Sequence, residues 1–564
     1  MAIIEINSAE LVGMINKNSK KKYSKKEILD KLNELGVDVE LEIREGEEIF
    51  IIEVFPNRPD LLSKHGIARA LRLFLGTDKP KTYRARKSDY RIIIDESVRN
   101  VRPFTACAVV KGLRLSNEDI RDIIILQEKL HQTLCRNRRK AAIGIYPMEK
   151  IKWPITYKAL KPEKIRFKPL GMNKEMNGIE ILEMHPTGQE YAGLLEGKNK
   201  YPIFIDAKNN ILSMPPIINS EDTGKITEET RDVFIEVSGF DPEFLNKVLS
   251  IIVTSLIDMG GILYEVEMNY PYPALKGKKK YKSPDLTMEK LVIDLREVKK
   301  LVGVGISERE AGRLLERMGI IYRNKIAYIP PYRMDILSHA DIAEEIAISY
   351  GYSNIGGELP ELATIGAMDN KHRIIEMISD ICIGMGLLEV KNYSLINREE
   401  ALRTSKKRPI RIINAKNSNY NTLRPSLLAS ILNTLKRWMH EEYPQRIFEI
   451  GEVFIRKEEY DGPMKDEWIE NNIAEPLMLG IGIAGSNEDF SRAKIIVETM
   501  LGILGKKAEY KPLKDRRFIN GRAARIILNG KDIGIIGELH PEIIEYYGLE
   551  MPISFIEIDL EKII

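Results

Sequence analysis

Three cysteines, Cys107, Cys135 and Cys382, are spread over 564 residues. Their number is odd and their spacing has no ligand pattern. Neither a disulfide framework nor a cysteine zinc site is expected, and a reducing cytoplasm is the matching compartment. His131, His185 and His540 are as scattered and carry no metal-ligand spacing. No apolar run approaches a membrane span, and the opening residues lack the basic-then-apolar order of a secretory signal. An excess of one charge is missing too: 86 Lys and Arg against 83 Asp and Glu leave +3. A nucleic-acid partner would therefore be held by local basic patches and not by the surface as a whole.

What is present is length and patterning. A chain of 564 residues exceeds one hydrophobic core, and composition and punctuation divide it into four expected domains. Residues 1–85 read as a small α/β domain: Ser24 and Glu27 form a capping box before an apolar helical stripe that Gly36 ends. Residues 86–275 hold short strands at Ile92–Ile94, Ala106–Val110, Ile143–Ile145, Ile203–Ile205 and Phe234–Val237. One clear helix there, Asn117 to about Thr133, runs into the basic cluster Arg136, Arg138, Arg139 and Lys140, a candidate grip on phosphate. Such charge also simply suits a helix C-terminus. Tyr270 to Leu286, rich in Pro and Lys, reads as a linker into residues 276–355, a small helical unit. Residues 356–564 read as a last α/β domain. Its Gly480, Gly482 and Gly485 match a dinucleotide fingerprint, but a hairpin at Asn529-Gly530 argues against a parallel dinucleotide fold.

The stretch Pro330 to Tyr352 concentrates acid. Ser338 and Asp341 form a capping box, and Asp341, Glu344 and Glu345 share one side of the helix, with Asp335 just before it. A hard cation such as Mg²⁺ would relieve their repulsion. On spacing alone the plainer reading weighs more: the acids cap the helix and favour its dipole.

The same residues carry a resemblance. YRMDILSHADIAEEIAISYGY, with FPNRPDLLSKHGIARALRLFLG (Phe55 to Gly76), LRPSLLASILNTL (Leu423 to Leu435) and GELHPEIIEYYGL (Gly537 to Leu549), resembles the β subunit of phenylalanyl-tRNA synthetase, archaeal and eukaryotic type, across essentially the whole chain and in the family's order. The resemblance implies a multidomain α+β architecture: mixed α/β N-terminal and tRNA-binding/editing domains, a helical fifth-domain unit, and an antiparallel class II synthetase-like module that is catalytically inactive. It implies an (αβ)2 heterotetramer with an α subunit that binds ATP, a tRNA(Phe) partner, and Mg²⁺ at Asp335, Asp341, Glu344 and Glu345, which reverses the weighting from spacing. It further implies proofreading of Tyr-tRNA(Phe), with the family's editing positions falling on Phe204, Ser213, Glu236 and Ser238. Without it, Glu236 and Ser238 would read as the solvent face of a half-buried strand.

Overall fold

The computed structural model describes residues 2–17, 19–361, 363 and 365–563. They form two units, Met1–Leu359 and Pro360–Ile564. Each combines helices with sheets, and the chain is a multidomain α+β protein.

In the first unit, the strands Ala2–Asn7, Glu47–Val54 and Asp38–Arg44 make an antiparallel sheet in that order. Helices Ser8–Asn16, Lys25–Glu34 and Lys64–Phe74 follow the local signals, each started by a side-chain cap on Asn7, Ser24 or Ser63. Two further sheets lie face to face. One has four antiparallel strands, Ile262–Tyr264, Phe104–Lys111, Val233–Gly239 and Ala141–Pro147 in order. The other has seven, with Tyr201–Ile205 between Ile211–Met214 and Ile155–Leu160. Alternation divides the four-stranded sheet. Val233, Ile235 and Val237 join the core under helices Asn117–Gln132 and Pro242–Asp258. Phe234, Tyr146 and Cys107 pack toward the seven-stranded sheet.

Several expectations change here. Every residue of Val233–Gly239 is buried, so its polar side chains face a second sheet and not solvent. The helix Pro242–Asp258 was not foreseen; all residues from Val248 to Leu256, Ser250, Thr254 and Ser255 among them, are buried, so it shows no solvent-facing stripe there. The expected linker is bound down: Lys280–Ser283 pairs with Val266–Asn269, and the hydroxyls of Tyr270 and Tyr272 donate to the carbonyls of Thr105 and Pro103. One core runs from Ala2 to Leu263 and takes in Met318 and Tyr332, so residue 85 marks no gap in it. The unit around residues 276–355 adds a three-stranded antiparallel sheet, with Ile326–Ile329 central, to its helices.

The second unit is built on a seven-stranded sheet. Its order runs Leu388–Glu389, Gln445–Glu452, Leu477–Ala484, Ile553–Asp559, Lys531–Leu539, Phe518–Leu528, Glu509–Pro512, and all pairs are antiparallel except the first. Gly480 and Gly482 of the fingerprint lie inside the Leu477–Ala484 strand, and Gly485 just past its end. A Cβ on Gly480 would meet Leu427 at 2.8 Å, and one on Gly482 would meet Ile431 at 2.4 Å. They admit the helix Leu428–Arg437 against the sheet and form no phosphate loop.

Candidate functional site

Glu236 lies mid-strand between Cys107 and Gly144 on the neighbouring strands. Tyr146, two residues beyond Gly144, leans back over it. Its hydroxyl lies 2.7 Å from Ser213 Oγ, 3.1 Å from Glu236 Oε1 and 3.3 Å from Asn219 Oδ1. Ser213 comes from the opposite sheet, paired across its strands with Phe204 on one side and Asn219 on the other. Two sheets thus converge on one phenol oxygen.

Glu236 is 2% exposed. Its Oε2 is buried and has no hydrogen-bond partner, and the residue borders a cavity of about 230 Å³. Burial pushes the Glu236 carboxyl up to about 8, against the opposing pull of the Tyr146 hydrogen bond, nearby Arg102 and Ser238. At neutral pH it is mostly a neutral acid that can donate as well as accept.

The other two predicted residues have different positions. Ser238 shares the Glu236 face, and its Oγ accepts from Arg102 Nε at 3.2 Å while its carbonyl accepts from Arg102 Nη2 at 2.6 Å. Phe204 is fully buried; it stacks on Tyr157 at 4.4 Å and closes the core behind Ser213. Of the four expected positions, Ser213 and Glu236 border the cavity; Ser238 and Phe204 are fully buried and are not among its lining residues.

Tyr146, Gly144, Arg102 and Asn219 were missed from sequence. A glycine inside the strand AAIGIYP was the available signal, since glycine there marks a close approach. The basic cluster divides. Arg138 turns inward and donates to the Ile217 carbonyl at 2.7 Å and to Glu128 at 3.2 Å. Arg136, Arg139 and Lys140 stay exposed. Arg136, Asn137 and Arg138 all have positive φ (50°, 51° and 62°), so the turn is strained. His131 also borders the cavity, but its Nε2 accepts from the Ile143 amide at 2.9 Å and burial lowers its pKa, so it is a neutral structural residue. His185 and His540 cap helices through Nδ1.

The acidic stretch is organised by a residue outside its helix. Arg333 donates to both oxygens of Asp335, at 2.8 and 2.7 Å, and to both oxygens of Glu345, at 2.9 and 2.7 Å. Asp341 Oδ2 accepts from the amides of Leu337 and Ser338. Glu344 is exposed. The four acids therefore do not close into a cage, and no group of three or more metal-ligating side chains is assembled among the described residues.

In the second unit a cavity of about 530 Å³ opens over the sheet. Its charged side chains are largely spent on one another: Arg517 on Asp515, Arg525 on Asp532, and Lys562 on Asp461.

Comparison with known proteins places the chain first among tRNA synthetase components. Residues 291–352 match the tRNA synthetase B5 domain, and residues 355–560 match the phenylalanyl tRNA synthetase beta chain CLM domain. The phenylalanine–tRNA ligase β subunit of Archaeoglobus fulgidus is 39% identical over 546 residues, covering 94% of each chain. Those of Thermococcus sibiricus and Pyrococcus horikoshii are 39% and 38% identical over about nine-tenths of each chain. An N-terminal fragment of the Pyrococcus horikoshii subunit superposes with a TM-score of 0.58 at 35% identity, covering 62% of this chain and 99% of the fragment. The chain belongs to the phenylalanine–tRNA ligase β-subunit family, archaeal type. No described helix is long and apolar enough to cross a membrane.

Proposed function

We propose that the cavity beside Glu236 is a proofreading site that hydrolyses tyrosine from mischarged tRNA(Phe). The observation that carries this is the Glu236 carboxyl, buried between two sheets with Oε2 left without a hydrogen bond, in a residue that borders the cavity. Phenylalanine is smaller than tyrosine, so no pocket that admits tyrosine excludes phenylalanine by size. A polar group that only tyrosine satisfies does discriminate. A phenylalanyl ester would leave Oε2 buried and unpaired, a loss of about 1–3 kcal/mol, and sites that demand a hydroxyl reject its absence strongly. Ser213 supplies a hydroxyl at the cavity to hold the ester or water, Ser238 anchors Arg102 beside Glu236, and Phe204 flanks Ser213 on the neighbouring strand.

Around that site, the chain supports a catalytic α subunit in a cytoplasmic (αβ)2 heterotetramer, and ATP and phenylalanine are handled on α. The mutually paired charges of the second unit's cavity fit a module without its own adenylation chemistry. Arg138 borders the proofreading cavity, which puts exposed Arg136, Arg139 and Lys140 near its rim, suited to the phosphates of a tRNA end.

Mg²⁺ fits the acidic stretch in reduced form. Arg333 takes Asp335 and Glu345, leaving Asp341 Oδ1 and Glu344 as the principal direct ligands. One or two carboxylates with retained waters are the usual protein contribution to a Mg²⁺ site.

The test is deacylation of Tyr-tRNA(Phe) by the chain assembled with its α subunit, beside Glu236→Ala. Hydrolysis by wild type that the variant loses supports proofreading. Normal phenylalanine charging without deacylation would make the chain a structural scaffold of the complex.

A further inference from the structure

Tyr146 is fully buried and its phenol oxygen is the junction of the site: Ser213 Oγ, Glu236 Oε1 and Asn219 Oδ1 all lie within 3.3 Å. A phenol has one hydrogen to give and accepts in return. Asn219 Oδ1 only accepts, the Ser213 hydroxyl can do either, and Glu236 changes role with protonation. The bridge therefore engages Oε1 and fixes the rotation of the carboxyl group. The other oxygen, Oε2, is buried and left without a hydrogen bond, and the residue borders the cavity.

The geometry needs room that the sequence provides. A Cβ on Gly144 would stand 2.2 Å from the Tyr146 hydroxyl and 2.7 Å from Glu236 Oε1. Any larger residue there would drive the phenol off the carboxyl. The ring itself is held by Phe234, its cross-strand partner, stacked at 5.6 Å.

We propose that Tyr146 is a positioning residue that sets the selectivity of this cavity: by bridging Glu236 Oε1 and Ser213 Oγ it fixes the two polar side chains that border the cavity from opposite sheets, and so makes the site demand a single hydroxyl at the end of an aromatic side chain. This rests on the proofreading reading above. Without the bridge, the carboxyl turns freely, either oxygen pairs with water or with Ser213, and the penalty for a ligand lacking the hydroxyl shrinks. Selectivity falls first; the ester-cleaving step is affected less.

The test is Tyr146→Phe in the assembled α/β enzyme, with Tyr-tRNA(Phe) and Phe-tRNA(Phe) prepared separately as substrates. The expected result is a drop of about tenfold in the ratio of kcat/KM for the tyrosyl over the phenylalanyl ester, carried mainly by KM for the tyrosyl ester. The Tyr146 hydrogen bond lowers the Glu236 pKa, so the alkaline limb of the pH–rate profile should move upward in the variant; a purely structural role would leave the limb in place. Phenylalanine charging and the melting temperature control for assembly. If Tyr146→Phe does not assemble, Asn219→Ala, at a half-buried position on the other side of the bridge, is read by the same ratio and should lower it by a smaller factor. Wild-type enzyme that hydrolyses neither ester overturns the proofreading reading and this inference with it. Wild type that clears the tyrosyl ester, with an unchanged ratio and limb in the variant, overturns the role of Tyr146 alone.

Discussion

Arg333 holds Glu345 through two hydrogen bonds, 2.7 and 2.9 Å long, in a fully buried guanidinium–carboxylate pair. The same guanidinium grips Asp335 and reaches the Met318 carbonyl at 3.3 Å. Nearby, Arg69 lies over the ring of Tyr332 at 4.0 Å and bonds Asp258 at 2.7 Å, and Tyr83 donates to the same Asp258. Residues from three of the expected domains therefore meet in one polar seam within the first unit.

Removing Arg333 should be costly. Arg333→Met leaves two carboxylates short of their cation in a buried setting, a loss of about 3–5 kcal/mol. Arg333→Lys should recover little of it, because an ammonium cannot serve two carboxylates in fork geometry. Calorimetric unfolding of the assembled enzyme reads both; a melting temperature within a degree of wild type would show that the seam carries no stability.

The acidic residues should separate by role. Glu344→Gln should weaken Mg²⁺ binding severalfold and leave the melting temperature unchanged, since Glu344 is exposed and free of Arg333. Glu345→Gln should do the reverse, lowering stability with little effect on the cation. Titration calorimetry with Mg²⁺ alone as the probe distinguishes them, and equal losses of affinity in both variants would return Glu345 to the ligand set.

Glu236 should leave a signature in pH-dependent stability. Its folded pKa, about 8, lies above the unfolded carboxylate value, so the native state holds the proton more tightly. Its contribution to stability is therefore full below about pH 4.5 and declines as pH rises to about 8. Glu236→Gln is a neutral stand-in for the protonated acid. The stability of the variant relative to wild type should grow across that window and level off above it. A flat difference curve would mean that Glu236 is ionised throughout.

Gly482→Ala tests the fingerprint. The new methyl would stand 2.4 Å from Ile431, with the helix backbone behind it, so overpacking should cost about 1–3 kcal/mol. No change in nucleotide affinity is expected. Weakened ATP binding by this chain at unchanged stability would restore the phosphate-loop reading.

Local signals were legible and distant ones were not. The capping boxes at Ser24–Glu27 and Ser338–Asp341 form as their spacing requires. The Asn529-Gly530 turn takes the two positive φ values, 51° and 78°, of a tight hairpin. Each rests on contacts a few residues apart. Arg333 is not legible as their partner because it lies outside the helix His339–Tyr350, where spacing along a helix face says nothing about contact. Pro242–Asp258 was missed because a helix buried on every side has no polar face to give it a period. The family resemblance supplied Ser213, Glu236 and Ser238, but not their surroundings.

The sequence by itself determined the capped helices, the Asn529-Gly530 hairpin and the family, because caps, turns and motifs are written in neighbouring residues. Only the tertiary structure decided that the polar face of Val233–Gly239 lies between two sheets, that a tyrosine 90 positions earlier meets Glu236, and that Arg333 claims two of four acids. The physical reason is the same in each case. The state of a charged or hydroxyl group is set by what is buried against it, and residues far apart in the chain supply that surrounding.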